Sequence, residues 1–211
     1  MSNDKLEGDG IEYEILAHAS TAVTLHKVPG LTCEIGVRMG LGSAIIMQET
    51  QNKGIYRCHI GLDPYGSIPY EDDKHGLHDG GYDNTMKQSS AAILFSAARQ
   101  FNWDFQFMFL EDTEFFERFP DGFPVYNDSD GSKTLMNKYA LVHLDGPHTK
   151  EHVIKEFEFF MDRMSPSGIL VFDDLELYDH DSIEENYILK NGFSIFEKGN
   201  RKASYAYQGA E

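Results

Sequence analysis

Thr32-Cys33-Glu34-Ile35-Gly36-Val37-Arg38-Met39-Gly40-Leu41-Gly42-Ser43 is the stretch on which the reading of this chain turns. A short apolar run carries a carboxylate near its end, three glycines fall within seven residues, and Ser43-Ala44-Ile45-Ile46-Met47 resumes with a helical pattern. That is a strand, a tight turn and a helix start, the local form in which α/β proteins build a nucleotide-sized pocket. Glycines let the backbone approach a ligand closely, and a helix N-terminus offers free N–H groups. The order is G-x-x-x-G-x-G, from Gly36 through Gly40 to Gly42 with Glu34 two residues ahead. A dinucleotide fingerprint has the other order, G-x-G-x-x-G. A glycine-rich turn that binds nothing is the plainer alternative.

Working outward, strand and helix patterns alternate. Leu31–Ile35 is followed by a helix from Gly42 to about Thr50, and Ile55–Leu62 reads as a second strand ending at Asp63. A carboxylate there suits the two hydroxyls of a ribose, although Asp before Pro64 is also an ordinary turn starter. The polar run from Ser67 to Asn84, with Asp72, Asp73, His75, His78 and Asp83, reads as a long irregular loop, a substrate-facing lid. Thr85 to Asn102 reads as a helix and Phe105–Leu110 as the third strand, with a short helix over Glu114–Phe119. Asp112 and Thr113 sit just past that strand; Asp112 also suits a helix N-cap. Asp121–Lys133 reads as a loop, Tyr139–Leu144 as the fourth strand and Thr149–Met164 as an amphipathic helix. After a Pro166-Ser167-Gly168 turn come Ile169–Phe172, a helix over His180–Lys190, and a terminal hairpin of Phe193–Glu197 with Ala203–Tyr207. The expected fold is α/β, a Rossmann-like doubly wound and mostly parallel seven-stranded sheet closed by an antiparallel hairpin. Residues 1–30 read as a leader with one short helix around Ile11 to His18, packed on a domain spanning 31–211.

Composition narrows the partners. The chain has 211 residues, 18 basic against 35 acidic side chains, and a formal charge of −17. No Lys/Arg cluster offers a nucleic-acid backbone a basic face, so nucleic acid is not the expected partner. Cys33 and Cys58 have neither metal-ligand spacing nor a disulfide framework, and reduced buried thiols are expected. No apolar run approaches a membrane span and no signal peptide is recognisable, so a cytoplasmic protein is expected. Plentiful Tyr and Phe, 11 and 15, are compatible with a homodimer.

Two strand ends carry a second constellation, Leu141-Val142-His143-Leu144-Asp145-Gly146-Pro147-His148-Thr149 and Gly168-Ile169-Leu170-Val171-Phe172-Asp173-Asp174-Leu175. In parallel neighbours, Asp145, Asp173 and Asp174 emerge at the same edge as the glycine loop. Three close carboxylates repel unless a cation is present, and neither motif contains a Lys or Arg. A hard ion such as Mg2+ fits such oxygen ligands. Asp145 before a glycine is also a common turn residue, and His148 is also placed to begin the next helix.

The E-x-G-x-x-x-G-x-G arrangement resembles motif I of class I S-adenosylmethionine (SAM)-dependent methyltransferases. The D-G-x-H, helix, P-x-G-I-L-V-x-D-D series is similar to the branch holding macrocin-type O-methyltransferases and cephalosporin-hydroxylase-like proteins. The resemblance covers about Leu31 to Leu175. It implies SAM binding by Glu34, Gly36, Gly40, Gly42 and Asp63, with Asp112 and Thr113 bordering the adenine. It also implies Mg2+ on Asp145, Asp173 and Asp174, holding hydroxyls of a sugar or other small acceptor. The loop from Ser67 to Asn84 has no clear counterpart, so the acceptor is not carried over. Magnesium-assisted O-methylation is the expected reaction, with His148 preferred over Asp145 as the proton acceptor. A SAM- or sugar-binding module without catalysis is the first alternative. An NAD-dependent oxidoreductase is the second, disfavoured by the glycine order and the lack of a Tyr-x-x-x-Lys pair.

Overall fold

The computed structural model describes residues 11–53, 57–66, 68–127 and 130–209. Helix α1 spans Tyr13–Leu25 and is followed by β1 (Leu31–Ile35), α2 (Leu41–Gln51) and β2 (Cys58–Leu62). A two-stranded hairpin of β3 (Pro69–Asp72) and β4 (Gly76–Asp79) precedes α3 (Asn84–Phe101), β5 (Asp104–Met108) and α4 (Asp112–Arg118). A second hairpin, β6 (Phe123–Tyr126) and β7 (Lys133–Met136), leads to β8 (Tyr139–Leu144), α5 (Lys150–Met161) and β9 (Met164–Phe172). Helix α6 (His180–Ile183) runs on through a wide turn over Glu184–Ile188 and a tight one over Leu189–Asn191. The chain then finishes in β10 (Phe193–Lys198) and β11 (Ala203–Tyr207).

Seven strands form one sheet in the order β10-β11-β9-β8-β1-β2-β5. The pairs β1–β2, β1–β8, β2–β5 and β8–β9 are parallel, and β11 runs antiparallel to both β9 and β10. This is the doubly wound, Rossmann-like arrangement expected. Every residue of β1, β2 and β8 is buried, the polar Thr32, Glu34, His59 and His143 included, which is why these strands show no alternation of apolar and exposed polar positions. Val142, Leu144, Leu170 and Phe172 pack with Phe115, Phe157 and Phe160 on one face. Leu141, Ile169 and Val171 pack with Leu16, Ala19, Val23 and Ile46 on the other. The strand order reverses between β1 and β8, and a crevice opens at the C-terminal ends there.

Several boundaries differ from expectation, each for a physical reason. The first helix is longer than Ile11–His18. Its polar Ser20 and Thr24 are accommodated because their hydroxyls donate to the carbonyls of Leu16 and Ser20, four residues back. Leu16, Ala19 and Val23 are fully buried, so the segment contributes core, not cover alone. The stretch read as a loop at Ser67–Asn84 contains a β-hairpin, and the one at Asp121–Lys133 holds β6 and the turn of a second hairpin whose other strand, β7, continues to Met136. These four-residue strands are short, and β3, β4 and β7 bury at most one residue each, so they show no apolar period to read. Asp112 is not an N-cap: Glu111 holds that position. The turn at Pro166-Ser167-Gly168 is an irregularity inside β9, where Met164 pairs with Tyr139 but Ile169 already pairs with Leu141. The expected start of the second strand at Ile55 lies outside the described residues. Both cysteines are buried and unpaired. No helix among the described residues is long and apolar enough to cross a membrane.

Candidate active site

Five strand ends meet at the crevice: Gly36 after β1, Asp63 after β2, Glu111 and Asp112 after β5, Asp145 and Gly146 after β8, and Asp174 after β9. The β3–β4 hairpin adds Pro69, Tyr70, Asp72, His75, His78 and Asp79 to the lining. Together they enclose about 550 Å³, within the range of small-molecule sites. The hairpin is docked onto the segment after β8. The His148 N–H donates to the Glu71 carbonyl at 3.2 Å, and the Lys150 N–H donates to Asp73 Oδ2 at 2.8 Å.

The glycine loop is held by the chain itself. Gly36 has φ +83°, and a Cβ there would lie 1.8 Å from the carbonyl oxygen of Asp145, so β1 and β8 approach too closely for any side chain. Glu34 does not line the cavity. It is 1% exposed, accepts from the Ser43 hydroxyl, and lies 2.9 Å from His143 Nδ1. A Cβ on Gly42 would meet Glu34 Oε1, so Gly42 makes room for that carboxylate. Gly40 caps α2 and packs on Leu94, also away from the cavity. Thr113 lies on α4 and is absent from the cavity wall. Of the residues expected to hold a cofactor, the structure brings Gly36, Asp63 and Asp112 to the cavity. Asp63 is 5% exposed; its Oδ2 accepts from the Arg38 N–H at 2.8 Å and its Oδ1 from the Tyr65 N–H at 3.1 Å. Burial pushes its pKa up to about 6, against those two hydrogen bonds, which lower it.

The acidic cluster on the far wall corrects one premise of the sequence reading. Cations do reach it, from the turn between β10 and β11. Lys202, fully buried, pairs with Asp173, and Arg201 pairs with Asp174. Glu12 sets this turn: its carboxylate accepts the backbone N–H groups of Asn200, Arg201 and Lys202 at 2.9–3.0 Å. Asp173 is completely buried and also accepts from the Asp174 N–H at 2.7 Å. Burial, the largest influence, would raise its pKa, but the Lys202 charge and hydrogen bond, His143 and the Asp174 N–H together outweigh it and hold the carboxyl below the usual carboxylate range. Asp173 therefore faces Lys202 and not the cavity, whereas Asp145 and Asp174 both line it. Asp174 turns back from the strand at φ +51°, a conformation Asp tolerates better than most residues.

His148 is 2% exposed and lies behind the cavity wall. Its Nδ1 contacts the Tyr70 hydroxyl, its ring stacks on Tyr178 at 5.9 Å, and its Nε2 lies 4.0 Å from Asp145 Oδ1. Burial drives its pKa down to about 3, so it is neutral across the physiological range. The sequence reading missed Tyr70 and the Arg201–Lys202 pair. It also missed a buried polar chain from Thr32 through His59, Ser43 and Glu34 to His143. Only the Glu34–Ser43 segment of that chain left a signal, within the glycine motif.

A family model described as a methyltransferase domain matches residues 33–175, well over half the chain. No curated protein matches the sequence. Solved structures share the fold at low identity. The O-methyltransferase NovP is 16% identical with a TM-score of 0.56, covering 93% of this chain and 79% of its own. TomG of Streptomyces achromogenes, an O-methyltransferase of tomaymycin synthesis solved with SAM, is 12% identical at 0.54, covering 94% and 81%. The Bacillus cereus O-methyltransferase solved with SAH is 11% identical at 0.54, covering 95% and 83%. With its seven-stranded sheet, its glycine turn at the switch point and this sequence match, the chain belongs to the methyltransferase-domain family and has the class I SAM-dependent methyltransferase fold.

Proposed function

We propose that this methyltransferase transfers a methyl group from SAM to a hydroxyl of a small acceptor, assisted by Mg2+. The observation that supports this reading is the division of one cavity between two walls. Gly36 and Asp63, at the ends of β1 and β2, line it on one side of the switch point, and Asp145 and Asp174, at the ends of β8 and β9, line it on the other. Asp63 suits the ribose of SAM because its position is fixed by two backbone N–H groups while its carboxylate borders the cavity. Asp145 and Asp174 suit Mg2+, which takes one or two carboxylates and leaves its other positions to water and substrate. Asp174 borders the cavity although Arg201 pairs with it, whereas Asp173, fully buried against Lys202 and absent from the cavity wall, serves as the anchor behind them. SAM supplies an activated methyl group and Mg2+ Lewis acidity at the acceptor hydroxyl. What the chain contributes is position, which is most of the requirement for a direct methyl transfer.

In this account Asp145 receives the acceptor's proton, because it faces the cavity and His148 does not. His148 is the positioning residue behind it, held in turn by Tyr70. The test is transfer of a labelled methyl group from SAM to panels of sugars, phenols and catechols, with Mg2+ or with a chelator. Transfer that needs Mg2+ and falls at least about a hundredfold in Asp145→Asn supports the reading. SAM binding with no transfer to any acceptor would favour a non-catalytic binding module instead.

A further inference from the structure

Beyond the Asp145–Asp174 wall, we infer that Asp112, His152 and Glu156 form a second metal site, for a divalent first-row transition ion such as Zn2+. His152 and Glu156 stand four residues apart on α5, so both point from one face of the helix. Asp112 opens α4 opposite them. One ligand atom from each of the three lies within 4.8 Å of the others. His152 Nε2 is already 2.9 Å and 3.1 Å from the two Asp112 oxygens. Donor atoms around a tetrahedral Zn2+ stand roughly 3.3 Å apart, so that pair needs only a few tenths of an ångström of opening.

Glu156 points to a missing ligand. It is 1% exposed, yet its Oε1 has no hydrogen-bond partner. That oxygen faces Gly146 on the cavity wall: a Cβ there would lie 3.0 Å from it. A buried carboxyl oxygen left without a partner is costly. No Lys or Arg pairs with Asp112 or Glu156 among the described residues. A cation would satisfy both carboxylates at once. The donor set selects the ion class, because an imidazole with two carboxylates suits Zn2+ or Mn2+ better than the all-oxygen shell of Mg2+. Asp112 and His152 both line the cavity, which leaves a path for the ion.

The experiment uses the full chain carrying Asp145→Asn and Asp174→Asn, which removes the acidic wall as a competing site. Equilibrium dialysis against Zn2+ with metal analysis should find about one ion per chain in this background. Adding Glu156→Gln, nearly isosteric, or His152→Gln, at a partly exposed position, should abolish it. Co2+ substituted into the background should show a visible d–d spectrum that both added substitutions remove. A background that binds no Zn2+, or added substitutions that leave binding unchanged, would overturn the inference and leave Glu156 a neutral buried acid. Circular dichroism of each variant separates lost ligation from lost folding.

Discussion

Gly36 shows what a single atom decides at this site. A Cβ there would drive into the Asp145 carbonyl, and φ +83° is strained for any other residue. Gly36→Ala should therefore cost at least about 2 kcal/mol in denaturant unfolding and weaken S-adenosylhomocysteine (SAH) binding together with stability. Lys202→Met tests the buried anchor. Removing one partner of a fully buried pair should cost about 3–5 kcal/mol in the same measurement. In the folded wild type the Asp173 pKa is held low, so its contribution is present above the ordinary carboxylate range and lost as pH falls through the depressed value. Without Lys202 that acid loss should begin at higher pH. Asp63 has the opposite sign. Its folded pKa is raised to about 6, so its contribution to stability is full below the unfolded carboxylate pKa and is lost as pH rises through about 6. Its ionised form is the better acceptor for ribose hydroxyls, so SAH affinity should fall as pH drops below about 6, and Asp63→Asn should flatten that profile. At this scale the sequence showed which carboxylates matter but not what they face. Glu34 and Asp173 were both legible as motif residues. Their partners, His143 on β8 and Lys202 in the turn before β11, are distant in sequence and leave no trace in local spacing.

The β3–β4 hairpin is the element that most shapes the cavity, and it was the least readable. Its strands have burial patterns with one buried residue between them, Asp72, so neither an apolar period nor a β-branched run marks them. What holds the hairpin is polar and long-range, through Asp72 bridging to His148 and Tyr70 reaching both His148 and the Gly146 carbonyl at 3.3 Å. Tyr70→Phe removes the hydroxyl and keeps the ring that lines the cavity. It should lower kcat by about tenfold while leaving SAH affinity within about twofold, checked by turnover against calorimetry. Equal loss in both would mean the hairpin merely supports the fold. The central parallel strands were legible for the opposite reason: burial on both faces makes them predominantly apolar runs bounded by turn residues.

For the whole molecule, the order of strands does the organising. Placing β1 between β2 and β8 brings ends distant in sequence, Gly36, Asp63, Asp145 and Asp174, to one edge. The terminal hairpin returns to the same place, and through Glu12 the start of the chain holds its turn against Asp173 and Asp174. The fold class was readable because alternating strand and helix patterns restrict the topology, and the glycine turn marks where the crevice forms. The most direct measurement is isothermal calorimetry of SAH binding to the full chain and to Asp63→Ala. The account predicts one binding event in the wild type, weakened at least about tenfold in the variant, for a ribose that has lost its acceptor. Absence of binding to the folded wild type, or equal affinity in Asp63→Ala, would contradict it.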